Sequence, residues 1–396
     1  MLKFIRDEQF AKNNFDLVRL AAALLVVYGH AYAIMPPQTY EDVMKVIGFA
    51  PAHRVGLYMF FLVSGFLVTR AIEARRDYRF FIKSRLLRLV PGLCVSAVVT
   101  LALVAPYSSW HIVNTSHWRD AMLYVIANST LFSPIAGVDG FGIFQNNPLP
   151  NVINGSLWSI ALEARLYFLL LLLHASGALT SSGKIKTATY TLIAIGLFAK
   201  SEWLGLRPDS VHLTCAAYFY AGSLSYQLKH YIPTSPIVPA TLFMSCLTIV
   251  LLSAQVPDEL RRYIAHATVY FFVFALAFGS RPISLPGDYS YGIYLYSFPI
   301  QQIIAAEFPN ISPGLAFGLS MTIILPAGVL SWHCVEERAL KLKKKQSSSL
   351  IFLTIAFAIS FVVAQRWMGT DMLPLLALLL LALASRSVLA VARTRK

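Results

Sequence analysis

The chain has 396 residues, of which 57% are apolar and only 13% charged, and its mean hydropathy is +0.62. A soluble domain carries about a quarter charged residues, so this composition excludes an ordinary water-soluble globule and places the chain in a bilayer. The net charge of +14 would suit nucleic acid if the 33 Lys and Arg formed one surface, but they fall in clusters between apolar runs.

The 26 Phe, 19 Tyr and 6 Trp exclude disorder, and the 20 scattered prolines exclude a coiled coil. Twelve segments reach the roughly 20 mostly apolar residues that a spanning helix needs. They are 15–35, 54–73, 86–105, 156–176, 187–204, 211–228, 236–255, 263–280, 287–306, 313–335, 349–366 and 371–391.

The first span follows Lys3, Arg6 and Lys12 and ends at Ala31-Tyr32-Ala33, a pattern shared with signal peptides. The run is long for a signal, and its removal would invert the rest of the chain, so it is read as a retained span. It carries Asp16, Arg19 and His30. Asp16 and Arg19, at i and i+3, can pair. Arg19 and His30 are eleven residues apart, which puts them within about 20° of one helix face and about 16 Å apart along it. His30 is then either a hydrogen-bonded interfacial residue or a functional imidazole.

The stretch 70–88 is arginine-dense and read as helical, with Arg70, Arg75, Arg76, Arg79, Lys83, Arg85 and Arg88. Arg85 and Arg88 share a helix face and form a paired fork suited to phosphate, although the cluster also serves as a topology anchor. After the third span, 106–155 is long and rich in Asn, Ser, Pro and Gly. Its apolar piece at 120–132 is too short to span and suits a re-entrant or interfacial segment.

The fourth span enters through Asn154-Gly155-Ser156-Leu157-Trp158-Ser159 and carries Glu163 and Arg165. Glu163 lies about 10 Å, and His30 about 8 Å, below the outer end of its helix. At matching depth the two could form a general base with an orienting partner. The alternative is a structural ion pair of Glu163 with Arg165 or with another helix. No internal repeat is evident. A seam at 338–349, with a Lys run and three serines, separates ten spans from a last pair rich in Leu and Ala.

With the N-terminus cytoplasmic, the inner segments hold 23 cations and the outer ones 8, while Arg19 and Arg165 lie within spans. This obeys the positive-inside rule and sets both termini inside, with attraction to anionic lipid headgroups a secondary effect. Cys94, Cys215, Cys246 and Cys334 sit in apolar stretches and are read as small buried hydrophobes. His53, His111, His117, His174, His212, His230, His266 and His333 lie in outer loops, near span ends or alone in spans, and are assigned no chemistry.

Read together, these residues resemble membrane acyltransferase family three, whose members O-acylate surface polysaccharides, O-antigen, lipo-oligosaccharide signals and some small molecules. The resemblance rests on Arg19 through His30 and on Phe60-Phe61-Leu62-Val63-Ser64-Gly65-Phe66-Leu67. It continues with Arg85 and Arg88 before Leu89-Val90-Pro91, and with Trp158-Ser159-Ile160-Ala161-Leu162-Glu163 followed by Tyr167. Ser290-Tyr291-Gly292-Ile293-Tyr294-Leu295 and Val335-Glu336 complete it. Each motif is weak singly, and their order at the span ends makes the likeness specific. In the ninth span Tyr296-Ser297 stands where many relatives have Trp-His.

The resemblance implies an all-α, polytopic helical bundle in a bacterial inner membrane. Its acyltransferase domain would cover 1–345 as a ten-span core, with a two-span extension at 346–396 and no separate hydrolase-like domain. It further implies acetyl-CoA as donor, without a metal, its phosphates held by Arg85 and Arg88. Arg19 would line the donor channel or lock the first span. His30 would be general base or transient acyl carrier and Glu163 its orienting or protonating partner, with Trp158, Ser159, Ser64 and Tyr291 against the substrate. The acceptor would be a carbohydrate or glycolipid hydroxyl, and nucleic acid no partner. The competing readings are a secondary transporter, for which twelve spans are a common count but repeat symmetry is expected, a structural membrane protein, and an acyltransferase using another acyl group or a small-molecule acceptor.

Overall fold

The computed structural model describes residues 4–10, 12–35, 42–75, 77–108, 115–129, 131, 136–137, 142–175, 177, 179, 183–203, 211–251, 257–279 and 281–344. They form a helical bundle without a strand among the described residues; an isolated bridge joins Phe4 to Pro233. Ten helices coincide with the first ten expected spans. They are α1 (Phe15–Ile34), α3 (Ala52–Arg75), α4 (Tyr78–Val104), α6 (Trp158–Ala175), α7 (Gly183–Trp203), α8 (Val211–Gln227), α9 (Ile237–Leu251), α10 (Asp258–Phe274), α11 (Ser290–Glu307) and α12 (Pro313–Ser331). Among the described residues, six of these are long and apolar enough to cross a membrane by length and composition. The expected spans 349–366 and 371–391, and the extension that holds them, lie outside the described residues.

Three further α-helices are α2 (Val43–Val46), α5 (Thr115–Ser129) and α13 (Glu337–Lys341), with 3-10 and π-helical turns besides. The apolar piece expected at 120–132 is the greater part of α5, which packs on α4. The arginine-dense stretch is helical except at its middle. There α3 ends at Arg75 and Asp77 restarts the chain as α4 by accepting a hydrogen bond from the Phe80 N–H at 3.0 Å. Arg85 and Arg88 therefore lie two turns inside a helix rather than at its mouth.

The helices pack through small residues, as membrane helices do when backbones must approach closely. At the α3–α8 crossing, a side-chain carbon on Gly65 would sit 1.8 Å from the Phe219 carbonyl oxygen, and one on Gly222 2.1 Å from that of Leu62. Neither position accepts a larger residue without parting the helices. Asn14 anchors the start of α1: its amide donates to the carbonyls of Leu276 and Arg281, and its oxygen accepts from the Ile283 N–H. These bonds fix the loop that delivers Asp288 to the bundle. Of the cysteines, Cys215 and Cys246 are buried as expected, whereas Cys334 is exposed because it faces outward from a π-helical turn at Trp332–Glu336.

Candidate active site

One end of the bundle carries Arg19, Arg85 and Arg88. Arg88 donates from Nη2 to Asp288 Oδ2 at 2.6 Å and from Nη1 to Glu336 Oε2 at 3.3 Å. Arg19 reaches the same Asp288 oxygen at 3.0 Å and also pairs with Asp16. Ser290 Oγ donates to the second oxygen of Asp288 at 2.6 Å, and Ser331 Oγ to the second of Glu336 at 2.9 Å. Asp288 is buried, and its carboxylate is held by Arg19, Arg88 and Ser290 together. The π-helical turn matters here, since its extra residue swings Glu336 into the bundle, where it is 1% exposed.

The network thus binds α1, α4, the start of α11 and the end of α12 into one unit. Arg85 stands outside it. Its guanidinium lies 5.8 Å from the ring centres of both Phe81 and Tyr167, and its Nε is buried with no hydrogen-bond partner among the described residues. Lys343, just beyond α13, has no acidic partner there either. Burial, and then the charges of Arg85 and Arg88, push its ammonium down to about 8. The sequence fork of two equal arginines is therefore unequal: Arg88 is already paired with carboxylates, and Arg85 is open.

A cavity of about 100 Å³ opens beside Arg85. Seven of the nine expected site residues line it: Arg19, Ser64, Arg85, Arg88, Ser159, Glu163 and Tyr291. At its middle, Glu163 Oε1 accepts from Ser64 Oγ and from the Tyr167 hydroxyl, both at 2.5 Å, and the two hydroxyls lie 2.7 Å apart. Tyr167, four residues after Glu163 and hence on its helix face, lines the cavity as well; that spacing was the signal for it in the sequence. Asp288 gave none, being a single acid beside a motif. Tyr291 is held by donating to the Leu89 carbonyl at 2.8 Å and lies under the Arg88 guanidinium.

The far wall is a hydrogen-bonded relay. Pro299 has no N–H for the Leu295 carbonyl four residues earlier, and Asn154 Nδ2 donates to that carbonyl instead at 2.9 Å. Asn154 in turn accepts from Ser156 Oγ, the Tyr294 hydroxyl donates to the Ser156 carbonyl, and Ser159 Oγ lies 2.5 Å from the Tyr294 hydroxyl. The motif around Trp158 thereby docks onto α11.

His30 and Trp158 do not line this cavity. Trp158 packs on His212, with ring centres 4.3 Å apart. His30 stacks on His53 at 5.5 Å and meets Phe298 edge-on at 5.3 Å. The matched depth of His30 and Glu163 does not translate into contact, because Glu163 turns toward Ser64 and Tyr167. His53, at the edge of the expected second span and assigned no chemistry there, occupies the first turn of α3 and faces α1. Other histidines pack structurally, His174 against Tyr190 and His266 against Tyr218. His111 and the side chain of His117 lie outside the described residues.

A family model described as an acyltransferase domain matches residues 12–333, spanning the cavity and every helix around it. The chain belongs to this acyltransferase family. The acyltransferase is 24% identical over 344 residues to an O-acetyl transferase of Shigella phage Sf6, covering 83% of this chain and 96% of that protein. It is 26% identical over 362 residues to nodulation protein 10 of Rhizobium leguminosarum bv. viciae, covering 84% and 94%. No solved structure matches it. The cavity thus holds buried cations and a hydroxyl-held carboxylate, and beyond it lies an imidazole whose Nδ1 has no hydrogen-bond partner among the described residues.

Proposed function

We propose that this acyltransferase moves an acetyl group from cytoplasmic acetyl-CoA to a hydroxyl of an exported or cell-surface polysaccharide or lipo-oligosaccharide, from within a bacterial inner membrane. The observation that carries the reading is the joining in one cavity of an open cation, Arg85, with the Ser64–Glu163–Tyr167 cluster. The O-acetyl transferase name of the phage relative supports acetyl as the group moved. Arg85 and Lys343 meet the donor phosphates, with Arg88 and Arg19 holding the wall behind them. Glu163, fixed by two hydroxyls, orients the donor arm. His30 acts as the general base on the acceptor side. Mass spectrometry of surface glycans from cells with and without the protein tests this: an acetyl-sized mass difference on one sugar is expected, and unchanged glycans would overturn it.

The lysine gives donor binding a pH signature. Lys343 is cationic at pH 7 and loses its proton as the pH passes about 8, so affinity for acetyl-CoA falls between pH 7 and pH 9. Lys343→Arg, which keeps its charge throughout that range, should flatten the profile, and Lys343→Gln should lower affinity at pH 7 to the alkaline level of the wild type. Binding of labelled acetyl-CoA across this range measures both.

A further inference from the structure

The functional reading leaves His53 without a task, yet its surroundings are unlike those of a packing residue. Its imidazole lies nearly parallel to that of His30, with 28° between the ring planes. The Nδ1 atoms of both rings are buried with no hydrogen-bond partner among the described residues. An unpaired buried nitrogen costs free energy that an apolar ring of the same shape would avoid. Here two rings that carry such atoms are stacked, that of His53 also against the Gly29 backbone.

The backbone enforces the pairing. A side-chain carbon on Gly29 would sit 2.2 Å from the His53 backbone nitrogen, so only glycine lets α1 and α3 close at this level. The pair also has a defined position relative to the cavity. Leu57 and Tyr294 line it, and His53 and Phe298 are each four residues from them, one turn or about 6 Å further along α3 and α11. The two imidazoles thus sit immediately beyond the cavity, on the side away from the arginines, with Phe298 against His30.

We propose that His53 is a second imidazole of the transfer site, and that the free nitrogens of His30 and His53 together hold the acceptor hydroxyl. This rests on the reading of His30 as the acceptor-side base. The hydroxyl oxygen bonds to the acyl carbon as the acyl–sulfur bond breaks. Its proton passes to His30 Nδ1 and then to the departing coenzyme A thiolate, while His53 hydrogen-bonds the attacking oxygen.

The test uses the full chain in membrane vesicles that carry the cell's own surface glycans, with labelled acetyl-CoA as probe. H53F keeps a stacked ring and removes the nitrogen. H53N keeps a polar atom near the Nδ1 position, and H53Q places one near Nε2 instead. Expected are a loss of about tenfold or more in glycan acetylation for H53F and H53Q, substantial retention for H53N, and donor binding unchanged in all three. Wild-type acetylation by H53F, or equal losses in H53N and H53Q, would overturn the assignment; should H53F fail to fold, the H53N and H53Q pair decides. H30A is run alongside. Full activity of H30A overturns the role of His30 itself, whereas an inactive H30A with a fully active H53F removes His53 alone.

Discussion

His30→Ala abolishes glycan acetylation while the protein folds and binds its donor. The expected loss is about a hundredfold to ten-thousandfold, the range a positioned general base contributes. The geometry separates this effect from stability. His30 Nδ1 has no hydrogen-bond partner among the described residues, so deletion of the ring strands no group that depended on it. His30 also lies outside the cavity that holds Arg85 and Glu163, so donor binding is left intact. The measurement is paired: labelled acetyl-CoA binding should match the wild type and the thermal unfolding midpoint in detergent should fall only by the ring's lost packing on His53 and Phe298, while acetyl transfer should be lost. Transfer at the wild-type rate would remove His30 from the mechanism.

Much of the bundle was readable because long apolar runs form helices: ten expected spans coincide with helices, and among the described residues six are long and apolar enough to cross a membrane. Spacing alone made the site readable only where partners share a helix; the family resemblance supplied the residues that different helices bring to the cavity. Asp16 and Arg19 pair as their i, i+3 spacing requires, and Arg85 and Arg88 line one cavity wall. Contacts between helices were not available from spacing. Depth along two helices says nothing of their rotation, so His30 and Glu163, level in the sequence, turn to different neighbours. The π-helical turn before α13 likewise has no periodic signal, and without it Glu336 would not face Arg88. His53 was hidden by its place at a helix start, where a lone histidine reads as interfacial.

Arg88→Ala and Arg85→Ala, conservative twins by sequence, should fail in different ways. Removing Arg88 leaves Asp288 and Glu336, 8% and 1% exposed, without their cation. Stranding buried carboxylates of this kind costs about 3–5 kcal/mol. Arg19 recovers part of this for Asp288, which it already contacts, but it makes no contact with Glu336 to offset the loss there. The unfolding midpoint should drop in Arg88→Ala, and Glu336→Gln, which puts a neutral amide where burial already pushes a carboxyl up to about 7, should lift it part of the way back. Arg85→Ala breaks no ion pair, and its midpoint should stay near the wild type. Its cost appears in the donor: loss of a charged hydrogen bond to phosphate weakens acetyl-CoA binding by about tenfold to a hundredfold. Equal destabilisation in both variants would show that Arg85 is a structural cation like Arg88, and would move the donor phosphates elsewhere.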